Sequence, residues 1–135
     1  MNALVVLGTV SVCALLACGD ETGIGFRVSY ESTALAAETD VLVLFFFESH
    51  VDCTLARDPA TRPRPTYGPF TTTLDDEARQ HGTRMRRDDV PVGTYTILIE
   101  AQDAQGAVLG DGCTPDQTVR EGELSKVQLR IEEPA

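Results

Sequence analysis

The sequence predicts an all-β protein: a single antiparallel β-sandwich of about seven strands over residues 26–133, behind an N-terminal export signal. Three observations predict it. Short segments alternate apolar and polar residues with period two, as half-buried strands do. Turn-forming Gly, Pro and Asp separate them at close spacing. No segment keeps helical periodicity beyond two turns, and no internal repeat is visible.

Residues 1–17 stand apart from the domain. Residues 3–17 hold Val5, Val6, Leu7, Val10, Val12, Leu15 and Leu16 and no charge. That length suits the apolar part of an export signal and falls short of the ~20 residues a spanning helix needs. The leading Met1-Asn2-Ala3 lacks the usual Lys or Arg. The run closes on Leu15-Leu16-Ala17-Cys18, and the chain then turns polar and Gly-rich at once through Gly19, Asp20, Glu21, Thr22 and Gly23. This resembles the lipobox of a bacterial lipoprotein precursor. The resemblance implies cleavage before Cys18, acyl chains on its thiol and new amine, and a removed segment 1–17. Two chains anchor stably where one binds only marginally. An ordinary export signal with an incidental Cys18 is the alternative.

Residues 18–25 read as a lipidated tether. Residues 26–30 (FRVSY) alternate and give the first strand; 32–39 (STALAAET) read as a loop or one helical turn. Residues 41–47 (VLVLFFF) form a short, β-branched and aromatic run between Asp40 and Glu48, which predicts a central strand. Residues 51–55, with Cys53, read as the return arm of a hairpin around Glu48-Ser49-His50, or as one strand with a bulge. Pro59, Pro63, Pro65 and Pro69 forbid a central strand and mark a long exposed loop over 58–69. Residues 70–74 (FTTTL) are β-prone, and 75–81 (DDEARQH) read as a loop or short helix. Residues 83–87 (TRMRR) predict an edge strand, since its Arg residues discourage edge-to-edge pairing.

The second half alternates more clearly. After a turn at 90–93 (VPVG), residues 94–101 place Tyr95, Ile97, Ile99 and Ala101 on one face and Thr94, Thr96, Leu98 and Glu100 on the other. Leu98 on the outward face implies either an interface or a cover from the Pro-rich loop, and the loop is the favoured reading. Asp103 to Gly106 form a hairpin turn, 107–109 start a return strand toward Cys113, and 117–119 read as a further strand. Residues 124–131 close the domain with Val127, Leu129 and Ile131 inward and Lys126, Gln128 and Arg130 outward.

Gly82, then Val90-Pro91-Val92-Gly93-Thr94-Tyr95-Thr96-Ile97, Gly106, Val119, Gly122 and Val127-Gln128-Leu129 together resemble the prealbumin-like, Ig-like modules of carboxypeptidase regulatory-like and collagen-adhesin B-type domains. The resemblance covers about residues 82–132. It implies a sandwich fold and leaves function open, because such modules serve as spacers, adhesion elements and regulatory domains. No catalytic residue carries over.

The chain has a formal net charge of −10, which argues against nucleic acid and against electrostatic binding to anionic lipid. The charge is uneven. Residues 57–87 hold seven Arg and four acids, net +3, leaving −13 on the rest. The stretch reads as a solvated Arg-rich loop and strand, or as a docking patch for an anionic envelope or protein partner, with Arg62, Arg64, Arg84, Arg86 and Arg87 its candidates.

Cys13 lies in the removed segment and Cys18 is the lipidation site, so Cys53 and Cys113 remain. In an oxidising compartment they predict a disulfide, with two separate thiols as the alternative. A ring of that size contributes about 4 kcal/mol in the loop-entropy treatment. Two distant cysteines without C-x-x-C make a poor zinc pattern. Asp75-Asp76-Glu77 and Asp88-Asp89 offer carboxylates for Ca²⁺ but miss the EF-hand spacing, so they read as solvated acidic loops. His50-Val51-Asp52 beside Cys53 is the one Cys/His arrangement, and a disulfide would remove its nucleophile. There is no G-x-S-x-G, H-E-x-x-H, P-loop or G-x-G-x-x-G. The expectation is a non-enzymatic envelope module with no cofactor and no metal, held to a membrane through Cys18. Gly19 and Asp20 at the second and third mature positions do not match the Asp-at-second-position retention signal of some Gram-negative lipoproteins, which favours the outer membrane over the inner.

Overall fold

The computed structural model describes residues 22–134; Cys18 and the expected signal segment 1–17 lie outside them. Seven strands carry the fold: β1 (Gly23–Tyr30), β2 (Val41–Glu48), β3 (Tyr67–Thr73), β4 (Thr83–Arg87), β5 (Gly93–Gln102), β6 (Val108–Val119) and β7 (Leu124–Ile131). Three short helices lie between them: α1 (Thr33–Glu38), α2 (Cys53–Arg57) and α3 (Asp76–His81). The strands form two sheets, ordered β4-β1-β7 and β3-β2-β5-β6, so the protein is an all-β sandwich.

The strand pairings are antiparallel except one. β1 and β7 run parallel, from Gly23 opposite Leu124 to Tyr30 opposite Ile131. Parallel neighbours need a long crossover, and here the rest of the domain supplies it.

β1 begins at Gly23, three residues earlier than the alternation of 26–30 suggests. Ile24 continues the inward series of Phe26 and Val28, and all three are buried. Gly23 and Gly25 hide that series in the sequence. The segment left between Cys18 and the fold is correspondingly shorter. β2 is central, paired with β3 on one side and β5 on the other. Its residues 42–47 are all buried, which requires cover on both faces and explains the unbroken apolar run. Pro69 falls in β3, an edge strand, where its missing N–H costs no ladder bond.

Two expectations change. Residues 51–55 are not a strand: Val51 closes a turn and α2 follows. The Asp52 carboxylate accepts from the Leu55 N–H at 2.9 Å, an N-cap that satisfies a donor the first helical turn leaves open. The same cap, from Ser32 and Asp75, starts α1 and α3. Residues 117–119 are not separate but end β6, which runs unbroken from Val108. Its register against β5 slips between Tyr95 and Ile97, where Pro115 and Asp116, with φ of 54°, make a bulge.

The main core lies between the sheets. Phe46 sits at its centre, with Phe26, Phe70 and Tyr95 edge-on at 6.0, 6.0 and 5.8 Å. Val127, Leu129 and Ile131 face it as the alternation of 124–131 predicts. The Tyr95 hydroxyl donates to the Pro91 carbonyl at 2.7 Å and fixes the turn entering β5. The sheets meet at one corner, where Asp111 and Glu132 exchange backbone hydrogen bonds at 3.0 and 2.9 Å. Glycine is required there: a Cβ at Gly112 would collide with the Arg130 carbonyl, and one at Gly110 with that of Glu132.

Candidate functional site

The outer face of the four-stranded sheet is a second, smaller core. Val43, Phe45 and Phe47 of β2 and Leu98 of β5 are buried there beneath Val51 and Ala56. Leu98 is thus covered, chiefly by α2. Cys53 and Cys113 are disulfide-bonded, with Cα atoms 5.8 Å apart, and the bond ties the start of α2 to β6. A five-residue helix does not hold itself together in water, so this bond and the apolar contacts keep it in place.

Arg62 completes the cover. Its Nη2 donates to Glu100 Oε2 at 2.7 Å, its Nε donates to the Ala56 carbonyl at 2.6 Å, and its guanidinium lies 4.8 Å from the Phe45 ring centre. The side chains are only 14% and 6% exposed. Arg62 therefore acts inward, as a strap over the second core, and not as an exposed docking cation. Nearby, burial pushes the Asp111 carboxyl above its ordinary value; Arg57, at 3.3 Å, pulls it back, while Glu100 and Glu132 push it further up.

Thr96 lies on the same outer face, opposite Phe47, fully buried, and its hydroxyl has no hydrogen-bond partner. Thr96→Val removes that hydroxyl at nearly constant shape. The variant should be about 1 kcal/mol more stable, read as a higher denaturant midpoint at unchanged slope.

The five candidate arginines are not gathered into one patch. Arg64 is exposed on the loop between α2 and β3. Arg87 chelates Asp89 through Nε and Nη2 at 3.1 and 2.6 Å and lies 3.8 Å from the Phe70 ring centre. Arg84 and Arg86 point the other way, from the exposed outer face of the three-stranded sheet, with Arg86 paired to Asp88 at 2.6 Å. That face holds three further cations the sequence does not group with them: Arg27 of β1 and Lys126 and Arg130 of β7. Only the parallel pairing of β1 with β7 brings them together.

The remaining titratable candidates have local roles. His50 is exposed beside Glu48, at 3.5 Å, on a turn and not on a strand face. Asp75 caps α3, Asp76 pairs with Arg79, and Asp88 and Asp89 pair with Arg86 and Arg87. Among the described residues no cluster of three or more His, Cys, Asp or Glu is placed to hold a metal ion. No described helix is long and apolar enough to cross a membrane.

No family model and no curated protein matches the chain. Among solved structures it is similar to a DUF4876 family protein from Bacteroides thetaiotaomicron, with 8% identity and a TM-score of 0.43. The likeness covers 84% of this chain and 23% of that one, so the chain spans about a quarter of that neighbour's length.

Proposed function

We propose that this protein is a lipid-anchored module of the cell envelope, non-enzymatic, held to a membrane by acyl chains on Cys18. The observation that carries the reading is Leu15-Leu16-Ala17-Cys18 at the end of an uncharged apolar run, with β1 beginning at Gly23, five residues further on. The Cys53–Cys113 disulfide supports export to an oxidising compartment. The same bond removes Cys53 from any nucleophilic role, which supports a structural or interaction module over an enzyme. Two sheets of seven strands, with Pro91 and Gly93 turning into Tyr95, support a prealbumin-like module. Gly19 and Asp20 favour the outer membrane.

Cell fractionation of the native chain and of Cys18→Ala tests the anchor. The native chain should stay with the membrane fraction after high-salt and alkaline washes, and Cys18→Ala should leave it. A variant that partitions like the native chain would overturn the reading. Partner binding through the Arg-rich region 57–87 is the second reading. Exposed Arg84 favours it; Arg62 and Arg87, each engaged within the fold, do not.

A further inference from the structure

We propose that the outer face of the β4-β1-β7 sheet docks on the anionic phosphate headgroups of the membrane that holds the anchor, an inference that rests on the anchored reading above for its choice of partner. The face is built by strand alternation. While Ile24, Phe26 and Val28 point into the core, Arg27 points out; Arg84 and Arg86 do so from β4, and Lys126 and Arg130 from β7. Five of the eleven basic residues thus share one three-stranded face, and the rest of the chain carries −15. The acids near it stand at the rim: Asp88 against Arg86, Glu132 at 3.8 Å from Arg130, Asp116 and Glu123 in a hollow that Lys126 borders, and Asp75 and Glu77 where α3 meets Arg27 and Arg84.

Two features shape this face. Arg27 lies directly opposite Arg84 across the β1–β4 ladder, a like-charge pairing that destabilises a sheet and that has Asp75 and Glu77 at its α3 edge. Gly25 occupies the middle of the face on the central strand, opposite Arg86 and Lys126, where glycine weakens a strand. Packing does not demand it, since a Cβ there would meet nothing closer than 3.8 Å. Gly25 lines an open hollow of about 380 Å³ together with Arg27, Arg84, Arg86, Leu124 and Lys126. A cationic hollow of that size admits phosphate groups.

The position of the anchor selects the bilayer as their source. Four residues, 19–22, separate the acylated cysteine from the start of β1, five Cα steps with a reach of at most about 18 Å. Gly25 lies two residues into that strand. A face tethered so close meets headgroups at high effective concentration, and each Lys or Arg adds about fivefold to binding on an anionic surface. The opposing charge does not prevent this. The second sheet lies about 10 Å behind the first, roughly one Debye length at physiological salt. The whole-chain charge of −10 therefore misjudges anionic lipid, because contact is governed by one face.

The test uses the chain from residue 18 onward with Cys18→Ser, which contains the whole described fold and carries no lipid. It is sedimented with vesicles of phosphatidylcholine alone or mixed with phosphatidylglycerol. Binding is expected only to the mixed vesicles, lost at high salt, and weakened at least about tenfold by Arg84→Glu with Lys126→Glu. Arg64→Glu reverses one charge away from the face and should leave binding unaltered. Circular dichroism and the denaturation midpoint check that the variants are folded. Equal binding to both vesicle types, no binding to either, or undiminished binding by the folded double variant would overturn the proposal. None of these readouts depends on acylation, so a failure of the anchor and a failure of the face remain distinguishable.

Discussion

Arg62→Ala is expected to lower the stability of the folded protein by about 3–5 kcal/mol, although Arg62 lies in a Pro-rich surface loop. The cause is Glu100. Its carboxylate faces the covered outer side of β5, 6% exposed, and Arg62 is its only ion-pair partner among the described residues. Removing the guanidinium leaves a buried charge with a long Gln102 amide hydrogen bond, at 3.4 Å, in place of an ion pair, and it also opens the Ala56 carbonyl and uncovers Phe45. The pair itself need not be net stabilising, because both groups lost water to form it. The double variant Arg62→Met with Glu100→Leu should therefore recover most of the loss. Urea denaturation of the wild type, the single and the double variant measures both effects. A single variant within about 0.5 kcal/mol of wild type, as for an ordinary surface change, would contradict the assignment.

Removing the disulfide is expected to cost about 4 kcal/mol, most of it by freeing the unfolded chain. The bond joins cysteines 60 positions apart in the sequence. It has a second, local effect. α2 is too short to persist alone, so without Cys53 its cover over Leu98, Phe45 and Phe47 loosens. Cys53→Ala with Cys113→Ala should unfold at lower denaturant, and amide hydrogens of residues 53–57 should exchange faster while those of β7 are less affected. The same denaturation midpoint with and without reductant would contradict this account.

Much of the strand framework is legible in the sequence, and the reasons are particular. β7 reads correctly because it has one wet and one dry face, so Val127, Leu129 and Ile131 alternate with charged and polar residues. β2 reads as central because an unbroken apolar run bounded by Asp40 and Glu48 needs cover on both faces. α2 is illegible by periodicity, since five residues make little more than one turn; the usable signal is Asp52 as a cap three residues before Leu55. The parallel β1–β7 pairing leaves no local trace at all, because its partners lie about a hundred residues apart.

That last point explains why the charged surface is read only in part. Contiguity groups the arginines of 57–87, but contiguity is the wrong unit in a sandwich. Arg62 and Arg84 look alike in sequence, yet one is drawn inward by Glu100 and the other is exposed on the opposite sheet. Leu98 and Glu100 on the supposedly wet side of β5 are the hint that this side is covered. Arg27, Lys126 and Arg130 join Arg84 and Arg86 only once β1 lies between β4 and β7.

The functional reading stands or falls with the anchor on Cys18, and the intact mass of the protein extracted from membranes reveals whether it is there. The expected species is a chain beginning at Cys18 whose mass exceeds that of its residues by two or three acyl chains, and whose precursor accumulates when the lipoprotein signal peptidase is blocked with globomycin. An unacylated chain, or one cut at another position, would contradict it.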